Sequence, residues 1–190
     1  MLPTLETMPS VRLSTPPLIA PFTKPWPDQL SVHALCDIAL GLARTASNWV
    51  PRLDVHPTAR TGLRLLATPE YDAWLLRWPA GTNVTPHDHG PSAGAFTVVT
   101  GELTERRWRA ALRHDRQVGV GQLVTVPTGI VHDVLSMGPE LAISVHAYSP
   151  PLTSMGFYDD DARRLLDRLS VDDAPEAAAT TRVLHPARGA

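Results

Sequence analysis

The chain has a single cysteine, Cys36, in 190 residues. That excludes an internal disulfide framework and any zinc knuckle built on paired thiols, and it fits a reducing compartment. The chain also lacks an apolar run approaching the ~20 residues needed to cross a bilayer. No basic segment followed by a long apolar stretch opens the sequence, so no secretory leader is read there and a cytoplasmic location is expected. Charge of one sign is missing too: 17 Lys and Arg face 19 Asp and Glu, a net charge of −2. No bulk field points to nucleic acid or to an anionic membrane, and neither is expected as a partner. Glycine is scarce beside proline, 12 against 19, which suits a loop-rich β fold better than a helical bundle.

What is present is globular: 43% hydrophobic and 19% charged residues, in a length that gives one full core and not two. Seven prolines within residues 1–27 forbid a regular helix there, so that segment is expected as an extended arm. Asp28 is placed to cap a helix running to about Asn48, with Leu30, Ala34, Ile38, Leu42 and Ala46 at helical spacing. His33 and Cys36 fall on that helix and are read as packing or surface residues. From Gly62 to about Ser149, short apolar or alternating runs are divided by turn signals such as Pro79-Ala80-Gly81, Gly101 and Pro127-Thr128-Gly129. Many short, evenly spaced strands argue for an antiparallel sandwich or barrel. Asp159–Ser170 reads as an amphipathic helix with Ala162, Leu165, Leu166 and Leu169 on one face. The organisation expected is therefore an arm over 1–27, one domain over 28–170 and a tail over 171–190.

Of eight histidines, His33, His56, His114 and His185 have no partner at ligand spacing and are read as surface residues. His87 and His89 form a His-x-His pair next to an expected strand, where residues two apart face the same side and both imidazoles reach one ion. His132 follows the turn Pro127-Thr128-Gly129 and is placed to enter the same cavity from a partner strand. A lone His-x-His is weak; joined to a later Pro-x-Gly-x-x-His it is much stronger. Ser144, His146 and Tyr148 alternate with Ile143, Val145 and Ala147, giving one polar and one apolar face, as where a strand lines a cavity on one side. No Gly-x-Ser-x-Gly elbow surrounds Ser144, so these three do not make a hydrolase triad.

The stretch from Gly81 through His87-x-His89 to Gly101 resembles the first cupin motif, and Pro127-Thr128-Gly129-Ile130-Val131-His132 resembles the second. Most cupins add a glutamate ligand three or four residues beyond the pair; here Ala93 and Gly94 stand there. A three-histidine iron site marks the thiol dioxygenases among cupins. Trp78-Pro79-Ala80-Gly81, His87-Asp88-His89-Gly90, Gly101-Glu102-Leu103-Thr104-Glu105 and Ser144 through Pro151 are similar to cysteine dioxygenase segments, in the same order. Animal members carry a cysteine that crosslinks to the active-site tyrosine. Gly94 occupies that position, so the chain resembles the bacterial branch and Tyr148 is expected to remain a free phenol.

The resemblance implies an all-β cupin jelly-roll barrel with an N-terminal helix and a short C-terminal helix. It implies Fe(2+) held by His87, His89 and His132, with a Ser144-His146-Tyr148 relay beside it. Three neutral imidazoles take one face of an octahedral metal and leave the other open; a structural zinc is usually closed by four protein ligands. A substrate carboxylate calls for a bidentate arginine. Arg64 best matches the family's position, and Arg60 is its competitor. Trp78 is placed as cavity wall or as plain core. Asp88, Glu102 and Glu105 are assigned to turns and salt bridges, not to the metal. The expected activity is oxidation of cysteine by O2 to its sulfinate by a monomer. 3-Mercaptopropionate is the alternative substrate, and a non-catalytic ligand-binding cupin is the alternative of another class.

Overall fold

Ser31 starts the first helix: its side chain accepts the backbone N–H of Ala34 at 3.2 Å, satisfying one of the orphan donors of a helix end. The helix, α1 (Val32–Arg44), is thus shorter than the spacing predicts and begins later than a cap at Asp28 would place it. Two short 3-10 turns, Ala46–Asn48 and Val50–Arg52, finish the segment. The computed structural model describes residues 29–109 and 112–171; the proline-rich arm, Asp28 and His185 lie outside the described residues.

Eleven strands follow among the described residues: β1 (Thr61–Ala67), β2 (Asp72–Trp78), β3 (Asn83–Asp88), β4 (Ala93–Thr100), β5 (Leu103–Arg109), β6 (Leu112–Val118), β7 (Leu123–Val126), β8 (His132–Leu135), β9 (Ala142–Ser149), β10 (Ser154–Tyr158) and β11 (Leu165–Ser170). They form two antiparallel sheets, ordered β1-β2-β9-β4-β7 and β11-β10-β3-β8-β5-β6. The sheets face each other as the jelly roll expected of a cupin, without closing into a continuous barrel.

Residues 159–170 correct the sequence reading. The expected C-terminal helix is a turn followed by β11, which pairs antiparallel with β10. Asp159 Oδ1 accepts the N–H groups of Arg163 and Arg164 at 2.8 and 3.1 Å, and Ala162 takes φ 54°, a left-handed conformation that no helix continues through. Spacing over so short an apolar run does not separate helix from strand, and the free edge of β10 decides for strand.

Two apolar layers hold the fold. Between the sheets, Trp74, Trp78, Phe96, Val98, Leu103, Val124 and Val134 pack into one cluster. Outside the first sheet, α1 lays Leu35 and Ala39 on Leu75, Ala95, Val145 and Ala147. Leu35 and Leu75 are fully buried, each a contribution of about 1.5–3 kcal/mol. This two-sided burial explains β9, where every residue is buried. Ile143, Val145 and Ala147 lie in the layer under α1, and the alternating Ser144, His146 and Tyr148 face the space between the sheets.

Candidate metal centre

The cavity between the sheets is lined by His87, His89, His132, His146 and Tyr148, walled by Trp74, Leu76, Trp78, Val84, Val134, Leu152 and Met155, with Arg60 at its side. His87 lies near the end of β3, His89 follows just beyond the strand, and His132 opens β8 directly opposite His87 in the register. One possible ligand atom from each of the three rings lies within 4.8 Å of the other two, and all three rings are buried. His132 Nε2 and His89 Nε2 stand 3.3 Å apart.

Hydrogen bonds fix which nitrogens face the cavity. His87 Nδ1–H donates to the Thr85 carbonyl at 2.8 Å, and His132 Nδ1–H donates to Glu105 Oε1 at 3.0 Å. Each bond leaves Nε2 with its lone pair, the form in which imidazole ligates a metal. Burial drives the His87 and His89 rings well below the usual 6.5, with His132 adding to the effect. Both are therefore neutral and ready to ligate. Two nitrogens at right angles about 2.1 Å from an ion would be roughly 3.0 Å apart, so the donor set fits one metal ion.

Glu105 is held behind the site rather than in it. Its Oε1 also accepts Arg107 Nη2 at 2.7 Å and its Oε2 accepts Arg116 Nε at 3.1 Å. Burial alone would raise this carboxyl, but the His132 ring and Arg107 outweigh it and hold it at about 2. Asp88 points away from the cavity, bonded to Tyr158 and Arg168. The salt-bridge duties assigned from sequence to Glu105 and Asp88 are where the structure places them.

The second group of polar residues forms a chain. Trp78 Nε1–H donates to Ser144 Oγ at 2.8 Å, Ser144 Oγ lies 2.8 Å from His146 Nε2, and His146 Nδ1 lies 3.2 Å from Tyr148 OH. An indole nitrogen only donates, so Ser144 accepts there and keeps its own hydrogen to give to His146 Nε2. In the tautomer with the proton on Nδ1, His146 donates to the phenol and the phenol hydrogen is left for the cavity. Burial, assisted by Arg60 and His132, pushes His146 well below 6.5. Burial and Asp72 push the Tyr148 phenol above its ordinary 10. Every member is thus neutral. Trp78 is both cavity wall and the anchor of this chain.

The two arginines separate. Arg60 lines the cavity, its guanidinium stacked on Trp78. Arg64 is stacked on Trp74 with its Nη2 3.8 Å from Asp72 Oδ2, and it is not among the cavity-lining residues. The family resemblance favours Arg64 over Arg60 for a substrate carboxylate; in the fold it is Arg60 that lines the cavity with the histidines. Asp72, fully buried, ties two cavity walls by accepting Trp74 Nε1 at 2.9 Å and Leu152 N at 3.2 Å. Trp74, Leu152 and Met155 went unmarked in sequence, where nothing separates a cavity wall from ordinary core. His33, His56 and His114 are exposed, as expected.

A family model described as cysteine dioxygenase type I matches residues 28–161. Among solved structures, the chain is similar to KdgF from Halomonas sp. (22% identity, 51% of this chain and 84% of that one, TM-score 0.44). It is also similar to a Thermus thermophilus protein, TT1209 (17%, 54% and 94%, TM-score 0.48), and to a recombinant oxalate oxidase in complex with glycolate (19%, 54% and 56%, TM-score 0.47).

Proposed function

The chain belongs to the cysteine dioxygenase type I family, and from that premise we propose that it is an iron(II)-dependent dioxygenase converting L-cysteine and O2 to cysteine sulfinate. The reaction balances without an external reductant: R–SH + O2 → R–SO2H, with sulfur giving up four electrons and the two oxygen atoms accepting them. The observation that carries the reading is the convergence of three buried imidazoles, a neutral phenol and one guanidinium on a single cavity. His87, His89 and His132 would hold the ion. Iron(II) bound there supplies a site for the thiolate and the activation of O2.

The chain's own groups do the rest. With no carboxylate among the three ligands, the site keeps its positive charge and favours an anionic sulfur. Arg60 offers a bidentate fork to a carboxylate a few carbons away, and Trp78 beneath it holds the fork in place. Tyr148 presents a hydrogen to the reacting end, oriented by His146, Ser144 and Trp78 in turn. The apolar walls Leu76, Val84, Val134 and Leu152 keep water from the sulfur.

Oxygen uptake and sulfinate formation by the iron-loaded protein, across L-cysteine, 3-mercaptopropionate and cysteamine, test the reading. L-cysteine is expected to give the highest kcat/KM with one O2 used per sulfinate. A higher value for 3-mercaptopropionate transfers the assignment to that thiol, and no uptake with any thiol in protein holding one iron per chain defeats it.

A further inference from the structure

Asp88 sits between the two histidines of the His-x-His pair, and alternation along β3 sends its carboxylate to the face opposite the cavity. There it is gripped by an element whose outer half lies beyond the family match, which ends at residue 161. Arg168 on β11 donates Nη1 to Asp88 Oδ1 at 3.1 Å and Nη2 to Oδ2 at 3.0 Å. Tyr158 OH on β10 donates to Oδ2 at 2.6 Å. The N–H groups of Gly90 and Gly156 donate to Oδ1 at 2.7 and 3.3 Å. The carboxylate is buried to 8% exposure, and all of these bonds aim at it from the C-terminal hairpin or the turn after His89.

Arg168 reaches Asp88 across an intervening strand, and the register shows how. Gly156 pairs with Arg168 on one side and with Asp88 on the other, so the three form one row across β11, β10 and β3. The middle member has no side chain, and the guanidinium lies over it. A Cβ at position 156 would come within 2.6 Å of Arg168 Nη2 and 2.9 Å of Asp88 Oδ2. Gly90, at φ 57°, likewise leaves room for Ser154.

We infer that Arg168 is a positioning residue for the metal centre: through Asp88 it fixes the backbone between His87 and His89, so the β10–β11 hairpin serves as a latch on the ligand pair. The inference rests on the three-histidine reading of the site. The two ligating residues are the covalent neighbours of Asp88, and any rotation of its peptides swings both rings. Outer partners that orient ligands typically change metal affinity by about 10–100-fold. A bidentate fork resists such rotation, whereas a single ammonium does not.

The test is anaerobic titration with Co(II) and with Fe(II) against a chelating dye, for wild type, Arg168→Gln, Arg168→Lys and Gly156→Ala. Melting temperatures are measured metal-free and metal-saturated. Arg168→Gln and Gly156→Ala are expected to bind Co(II) about 10–100-fold more weakly. Both variants disturb the counter-charge of a buried carboxylate and should lower the metal-free melting temperature, but the metal-saturated melting temperature should fall further, so that the metal-induced rise shrinks. Arg168→Lys, which keeps the charge and loses the fork, should recover part of the affinity, and it carries the comparison if Arg168→Gln does not fold. Co(II) affinity within twofold of wild type in both Arg168→Gln and Gly156→Ala overturns the latch. So do equal falls in the metal-free and metal-saturated melting temperatures, because a merely structural hairpin produces them. Failure of thiol oxygenation with Arg168-dependent metal binding intact would sink the proposed function alone. Arg168-independent binding in a protein that oxygenates cysteine would sink the latch alone.

Discussion

The guanidinium of Arg60 lies 4.6 Å from the centroid of the Trp78 indole, on the wall of the cavity that holds the three histidines. Arg64 repeats the stack on Trp74 at 4.5 Å but is tied to Asp72. Two arginines four residues apart in sequence therefore stand in different surroundings, Arg60 at the cavity and Arg64 beside Asp72. Charge-assisted hydrogen bonds contribute ~1.5–3 kcal/mol, so Arg60→Gln should lower kcat/KM for cysteine by about 10–150-fold. Cysteamine, which lacks the carboxylate, should be nearly indifferent. Arg64→Gln should instead lower the melting temperature, because it weakens the counter-charge of a buried carboxylate, with a small effect on KM. Steady-state kinetics on both thiols separates the two; a cysteine-specific loss in Arg64→Gln alone would return the carboxylate to that residue.

Removing any one of His87, His89 or His132 should abolish retention of iron at one per chain while leaving the β-rich circular dichroism spectrum intact. Metal analysis after gel filtration reads this directly. Full metal content in His132→Ala would show that the ion is held elsewhere.

Tyr148→Phe removes only the hydroxyl at the end of the hydrogen-bonded chain. Metal content and KM should hold while turnover falls ~10²–10⁴-fold, the usual contribution of a positioned proton donor. His146→Ala should fall similarly, since it removes the group that orients the phenol. Unchanged turnover in Tyr148→Phe would reduce the phenol to packing.

Gly94 faces Tyr148 so closely that an added Cβ would meet two ring carbons at 3.1 Å and His89 Nδ1 at 3.4 Å. Gly94→Ala must displace one of two residues that the site uses. Turnover should drop at least several-fold, with a smaller loss of metal affinity. Kinetics and the chelator titration applied to Arg168 report both.

The metal-free protein should be sensitive to mild acid. His87, His89 and His146 are all held below 6.5 in the fold, chiefly by burial. As pH falls through 6.5 the unfolded chain takes up these protons before the folded chain does, so stability declines toward lower pH. His146→Gln should remove one share of that slope in a plot of melting temperature against pH. An unaltered slope would mean that His146 titrates normally in the fold.

The ligand segments were legible because their chemistry is local. His87-x-His89 needs only alternation, and the Pro127–His132 turn announces itself by Pro and Gly. The alternation of Ser144, His146 and Tyr148 against Ile143, Val145 and Ala147 revealed a strand with two unlike faces, and α1 supplied the cover for the apolar one. Arg60 was harder, because its direction is set by the loop entering β1 and no periodicity governs a loop. β10 and β11 were lost for a different reason. Ser154 and Gly156 give no apolar signal, and the Leu165, Leu166, Leu169 spacing suits a helix until a neighbouring edge needs a partner. Arg168 therefore became visible only with its strand.

The chain that ends on Tyr148 begins at an indole N–H, a donor with no lone pair and no hydrogen to spare at neutral pH. It is a cul-de-sac: protons cannot flow along it from bulk solvent. Whatever hydrogen the phenol lends in one reaction cycle has to come back from the substrate side before the next. The slowest reloading step is then set by what enters and leaves the cavity mouth, and isotope effects from solvent should follow that exchange rather than any path through the protein's far side.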